Sequence, residues 1–231
     1  MARYAPPLLS QLVGDGTTVF YEAEDILEQL LPGQPSFEQI KVEHGELDAE
    51  LGLRRRQMPA APLYPDSFTV ERQTSLFLYA LTRRARPHHI LETGVANGSS
   101  SFFFLHALRL NKHGTLHSVD LGQQVGALVH DDERSDWDLH ILRAVRARAD
   151  FVDYARRLPE LDIFVHDSDH TRKWQRFEYG VALGQLRPQG FLTSDDVDSS
   201  WAFSDFCRLH RLSPYFLLDR RKVFGVARAR G

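Results

Sequence analysis

The chain has 231 residues, 28 of them lysine or arginine and 31 aspartate or glutamate, for a formal net charge of −3. That balance argues against a broad electrostatic grip on nucleic acid, and the single cysteine, Cys207, rules out an internal disulfide. No apolar run is long enough to cross a bilayer and no charged-then-apolar leader opens the chain, so a soluble, cytoplasmic protein is expected, with no nucleic-acid and no membrane partner.

Residues 1–65 read as a helical extension or cap, and residues 66–231 as the main domain. Glu22 to Leu31 forms a short helix closed by Pro32-Gly33, and a second helix starts at Ser36. It places Phe37, Ile40, His44, Leu47 and Leu51 on one face before Gly52 ends it. Such a stripe packs on the main domain or on a second copy, which admits a homodimer through the N-terminal helices. Met58-Pro-Ala-Ala-Pro-Leu-Tyr-Pro65 reads as an extended connector, because proline bars helix and biases its predecessor toward extended angles. A third helix, Phe68 to Arg84, leads into the first strand of the main domain.

That strand begins at Ile90 and runs into Glu92-Thr-Gly94-Val-Ala96-Asn-Gly98, followed by the apolar helix Ser99 to Leu108. A strand, a glycine turn and a helix form an anion- or nucleotide-accepting corner, since backbone can approach a ligand and the first helical N–H groups face the gap. Ala96 and Ser99 stand where a dinucleotide fingerprint needs glycine, which disfavours NAD. A second strand, Thr115 to Asp120, ends in an acid about 20 residues after the turn, placed to hold a ribose diol. Leu121 to Asp138 is polar, with Gly122, Gly126, His130, Asp131 and Asp132, and suits a mobile lid. Asp138 to Ala144 supplies a third strand.

A fourth strand, Leu161 to His166, runs directly into Asp167-Ser-Asp-His170, and a fifth, Phe191 to Ser194, ends in Asp195-Asp196. The strand-helix-strand unit makes these two strands parallel neighbours, about 4.8 Å apart, so the acids converge above one edge of the sheet. Three carboxylates need compensating charge, and hard oxygens suit Mg²⁺ or Ca²⁺, so Asp167, Asp195 and Asp196 are metal candidates. A second role is open to them: Asp195 or Asp196 capping the helix near Trp201, and Asp167 binding backbone N–H groups. His170 has the chemistry of a general base, while His166 is placed to orient a carboxylate. Pro214 to Ala227 reads as two strands around a charged turn.

The Glu92-x-Gly94-x-x-x-Gly98 loop with Asp120 resembles that of the class I S-adenosylmethionine-dependent methyltransferases. His166-Asp-Ser-Asp-His-Thr171, Phe177-Glu178, Leu186-Arg-Pro-Gln-Gly190 and Ser194-Asp-Asp196 resemble more closely the group called methyltransferase family 24. That group is similar to macrolide-sugar O-methyltransferases and cephalosporin-hydroxylase-like proteins. The resemblance spans about Tyr64 to Phe206; Gln189 departs from it, standing where relatives often carry glycine. It implies an α/β, doubly wound, seven-stranded Rossmann-like sheet of order 3-2-1-4-5-7-6 with strand seven antiparallel. It also implies S-adenosylmethionine as cofactor, contacted by Glu92, Gly94, Ala96, Gly98 and Asp120, with Asp167 completing the set. The expected reaction is methyl transfer to a hydroxyl of a small natural-product or sugar-like molecule, assisted by Mg²⁺ in some relatives, with His170 and Asp167 catalytic. The alternatives are a methyltransferase fold repurposed for hydroxylase-like chemistry and a non-catalytic scaffold.

Overall fold

A parallel strand covered on both faces needs a near-continuous apolar run, and Leu161–His166 (β5) meets that need with every residue buried. A computed structural model describes residues 18–59, 63–65, 68–220 and 222–230 and sets β5 in the middle of an eight-stranded sheet. The other strands are β1 (Thr18–Phe20), β2 (His89–Thr93), β3 (Thr115–Asp120), β4 (Trp137–Ile141), β6 (Leu186–Ser194), β7 (Pro214–Asp219) and β8 (Lys222–Arg228). Their order is β1-β7-β8-β6-β5-β2-β3-β4, with β8 antiparallel to both neighbours and every other pairing parallel.

From β2 onward this is the expected order of the seven strands, read from β4 to β7. The departure is β1, which pairs parallel with β7 and extends the sheet by one edge strand. The N-terminal extension is therefore not purely helical. Thr-Val-Phe is β-branched and aromatic, and the exposed edge of β7 gives its backbone groups partners.

Helices α1 (Ala23–Leu30), α2 (Phe37–Gln57), α3 (Arg72–Ala85) and α4 (Ser99–Asn111) pack on one face, and α5 (Ala147–Ala155), α6 (Arg172–Leu183) and α7 (Ala202–His210) on the other. The α2 stripe is consumed inside the chain: Phe37, Ile40, His44 and Leu51 are buried, and the apolar ones share a core with α3 and α4. The face that suggested a second copy is thus covered by the chain itself. Ser36 caps α2 by accepting from Gln39 N at 3.3 Å.

Gly52 does not end α2, which continues through Arg54, Arg55 and Arg56 to Gln57. Three cations in the last turn complement the helix dipole, and Arg54 is held by partners described below. Part of the extended connector, residues 60–62, lies outside the described residues, as do residues 1–17 of the extension and Arg221 in the β7–β8 turn.

Candidate active site

The ends of β2, β3, β5 and β6 open onto one cavity of about 570 Å³. Gly94 adopts φ +84° where β2 turns away, and a Cβ built there would fall 2.0 Å from the carbonyl oxygen of Asp167. Only glycine lets the two strand ends approach this closely. Gly98, at φ +85°, starts α4, and Ala96 between them also takes a left-handed conformation at φ 46°. Gly94 and Ala96 line the cavity, whereas Gly98 is buried against Gly126.

Asp120 lies on the cavity wall at the end of β3. Its Oδ2 accepts from Val95 N at 2.7 Å and Ala96 N at 3.2 Å, and its Oδ1 from Gly122 N at 2.7 Å. It therefore shapes the glycine loop, and an ionised carboxylate still has lone pairs for a diol. Leu121, Leu142, Ala144 and Ala147 form an apolar wall beside it. This glycine cradle, acid and apolar wall together line one end of the cavity. The apolar wall carries no sequence signal, since small apolar residues after a strand look like any other core.

Glu92 departs from its expected role. It is fully buried and contributes nothing to the cavity lining, because hydroxyls from Ser100, Ser101 and Ser118 donate to it at 2.5, 2.6 and 2.8 Å. Its carboxylate ties β2 to β3 and to the first turn of α4, behind the glycine loop. Burial pushes its carboxyl above the usual range.

At the other end of the cavity, Asp167, His170, Asp195 and Asp196 converge as the strand order requires. His170 Nδ1 is 3.0 Å from Asp196 Oδ2, and its Nε2 is 3.5 Å from Asp167 Oδ1. Lys222, the first residue of β8, enters from the far side: its Nζ donates to Asp195 Oδ2 at 3.1 Å and to Asp196 Oδ2 at 3.3 Å. Anions and cations alternate along this line. Among the described residues no three His, Cys, Asp or Glu side chains are arranged to hold a metal ion. The acids expected as metal ligands do not fit one, because an ammonium already sits against Asp195 and Asp196 and an imidazole against Asp196. The capping alternative is not realised either, for Ser200 Oγ accepts from Ala202 N at the start of α7.

The charges set the proton affinities. Burial opposes a charged His170, but the neighbouring carboxylates of Asp167 and Asp196 outweigh burial and push its pKa up to about 10. His170 is thus an imidazolium at neutral pH and not the free base that its type suggested. Burial, joined by repulsion from Asp195, pushes the Asp167 carboxyl up to about 7. Asp196 is half-buried, yet His170 and Lys222 on its two sides hold its carboxyl below the usual range.

Glu178 of α6 supports this end. It accepts from Thr93 Oγ1 at 2.7 Å, Ser168 Oγ at 2.9 Å and Trp174 Nε1 at 2.6 Å, and His166 Nδ1 lies 2.6 Å away. His166 therefore orients a carboxylate, as its place at the strand end implied. Sequence reasoning missed Lys222, which lies in a hairpin far from any motif.

The segment expected as a mobile lid is pinned instead. Gly126 N and Leu128 N donate to Ala96 O and Asn97 O at 2.8 and 2.9 Å, and Glu133 is buried against Arg54. His130, Asp131 and Asp132 do not line the cavity.

Residues 91–197 match the family model of a methyltransferase domain. Comparison with curated proteins returns no match. Among solved structures, a methyltransferase from Geobacter sulfurreducens is 17% identical with a TM-score of 0.57, over 90% of this chain and 94% of that one. The O-methyltransferase from Bacillus cereus in complex with SAH is 14% identical with a TM-score of 0.53, over 90% and 98%. The O-methyltransferase from Streptomyces achromogenes involved in tomaymycin synthesis, in complex with SAM, is 16% identical with a TM-score of 0.54, over 90% and 96%. At these identities the likeness establishes the methyltransferase fold. No helix among the described residues is long and apolar enough to cross a membrane.

Proposed function

We propose, for a chain whose residues 91–197 match a methyltransferase-domain model, that it methylates an oxygen of a small molecule at the expense of S-adenosylmethionine. The observation that carries this reading is one cavity with the Gly94 and Asp120 cradle at one end and a charged, proton-accepting cluster at the other. The bound forms of the Bacillus cereus and Streptomyces achromogenes proteins support the choice of cofactor. S-adenosylmethionine, when bound, supplies a sulfonium-borne methyl group that an oxygen displaces in line.

The chain's own residues do the rest. Gly94, Ala96 and Asp120 fix the cofactor, and the apolar wall excludes water from one side of it. Asp167 faces the cavity and accepts the hydroxyl proton, the role first sought in His170. His170 holds Asp196 at 3.0 Å and sets its positive charge beside Asp167. Holding donor and acceptor in attack geometry contributes on the order of 7 to 11 kcal/mol, so positioning outweighs the proton step. Tyr64, Phe68 and Trp174 along the cavity offer aromatic faces to an acceptor, which suits a natural-product or sugar-like molecule with an apolar body.

Titration with S-adenosylhomocysteine tests the reading. Micromolar binding is expected, weakened about tenfold or more in Asp120→Ala, the equivalent of at least ~1.4 kcal/mol. No binding to the parent protein would overturn it and leave the scaffold alternative.

A further inference from the structure

In place of a divalent ion, we propose that Lys222 is the resident cation of this site, making it metal-free, with one N–H kept for the acceptor oxygen. The proposal rests on the methyl-transfer reading for the acceptor, but its central claim, that the ammonium keeps metal out, stands on geometry alone.

Asp195 and Asp196 end β6, and Lys222 begins β8, the strand antiparallel to it. The hairpin thereby carries an ammonium to the mouth of the acid pair. Nζ donates to Asp195 at 3.1 Å and to Asp196 at 3.3 Å. Nζ also lies 3.3 Å from Asp196 Oδ1, so Asp196 presents both oxygens to one side of an ammonium that has three donors and lines the cavity.

Asp195 is 6% exposed, and a carboxylate so buried needs a partner cation. Lys222 is the cation it has. Asp196 is claimed twice, by Lys222 on one side and by His170 Nδ1 at 3.0 Å on the other. Mg²⁺ demands oxygens at about 2.0 to 2.1 Å in octahedral array, and an ammonium held between two of those carboxylates occupies the same ground. The third acid, Asp167, faces His170 Nε2. Each of the three carboxylates that would ligate a metal already faces a nitrogen of the chain. Lys222 also lies beyond the segment that matches the family model, so nothing in that match assigns it a role.

The experiment is Mn²⁺ titration of the full chain, followed by the electron paramagnetic resonance signal of the free ion. Parent protein is expected to leave that signal unchanged at equimolar Mn²⁺. Lys222→Ala should bind Mn²⁺ at least about tenfold more tightly than the parent, because it leaves Asp195 and Asp196 without their cation. Lys222→Gln provides a neutral variant of similar length should the alanine form fail to fold, and Lys222→Arg is expected to keep the ion out. Stoichiometric Mn²⁺ binding by the parent, lost in Asp195→Asn, would overturn the proposal, and so would neutral variants that gain no affinity. None of these readouts uses S-adenosylhomocysteine, so a failure here is separable from failure of the methyl-transfer reading.

Discussion

Arg54, near the end of α2, and Glu133, in the segment after β3, form a buried two-pronged ion pair with N–O distances of 2.6 and 2.7 Å. Arg54 also donates to Leu128 O at 2.8 Å, pairs with Glu50, and stacks over Phe102. The N-terminal extension thereby fastens the segment whose backbone supports the glycine loop. Removing one partner strands a buried charge, so Arg54→Met or Glu133→Gln should cost about 3 to 5 kcal/mol in urea unfolding. Amide exchange at Gly126 and Leu128 should accelerate in the same variants. Unchanged stability and exchange would show that the pair is not what holds the segment.

Acid should unfold the protein in a defined window. Burial works against Glu133, but Arg54 and the backbone of His130 overcome it and pull its carboxyl down to about 2 from 4.5. The stability it supplies is complete above its unfolded value and is lost as pH falls toward 2. Burial lowers His44 to about 4 from 6.5, so the fold holds it neutral and loses stability as pH drops from 6.5 toward 4. Each group corresponds to about 3 kcal/mol at full effect. Urea midpoints should fall below about pH 6.5, and His44→Gln should flatten the upper part of the decline. A midpoint constant down to about pH 4 would contradict the burial of a neutral His44.

His170 should keep its proton through neutral pH. The carboxylates of Asp167 and Asp196 beside it hold the charge despite burial, up to about 10. Imidazole ¹⁵N shifts should stay those of imidazolium through neutral pH, and Asp196→Asn should bring the midpoint down by removing the 3.0 Å partner. Titration of the parent near 6.5 would return His170 to the role of general base.

What the sequence conveys and what it hides divide along physical lines. The strands are legible because Ile163-Phe-Val165 and Ile90-Leu91 are short apolar runs ahead of polar strand ends, and Gly94 and Asp120 are legible because only glycine permits the turn and only the strand end exposes the acid. The convergence of Asp167 with Asp195 and Asp196 follows from parallel neighbours joined by one crossover. Lys222 is hidden because its partners lie 26 and 27 positions away across an antiparallel pair, and a lone lysine at a strand start has no signature. The end of α2 is hidden for a related reason: tertiary bonds to Arg54 outweigh the weak helix-breaking tendency of Gly52. Glu92 is misleading because three serine hydroxyls that claim it come from α4 and β3, and composition alone cannot show that they point inward.

Cys207 offers a probe that perturbs nothing. It is buried in α7, and burial pushes its thiol up to about 12, so almost no thiolate exists at neutral pH. The native protein should resist a thiol-specific disulfide reagent and should release one equivalent on unfolding, giving an independent unfolding curve. Rapid labelling without denaturant would mean that α7 opens locally.

Glycine replacements should separate the site from the scaffold. At Gly94 an alanine must adopt φ +84° and place its Cβ 2.0 Å from the Asp167 carbonyl oxygen, backbone that cannot move aside without parting β2 from β5. Gly94→Ala should therefore lower stability by at least about 1 to 3 kcal/mol, the conformational strain alone, and abolish S-adenosylhomocysteine binding. Gly45 in α2 and Gly180 in α6 lie inside helices with nothing within 4 Å of an added Cβ. There alanine restricts the unfolded chain and suits the helix, so Gly45→Ala and Gly180→Ala should each stabilise by about 0.4 to 1 kcal/mol and leave binding unchanged. Thermal melts with and without S-adenosylhomocysteine read both effects together. A Gly94→Ala protein that melts and binds like the parent would show that the close approach of β2 and β5 is not needed at the cavity.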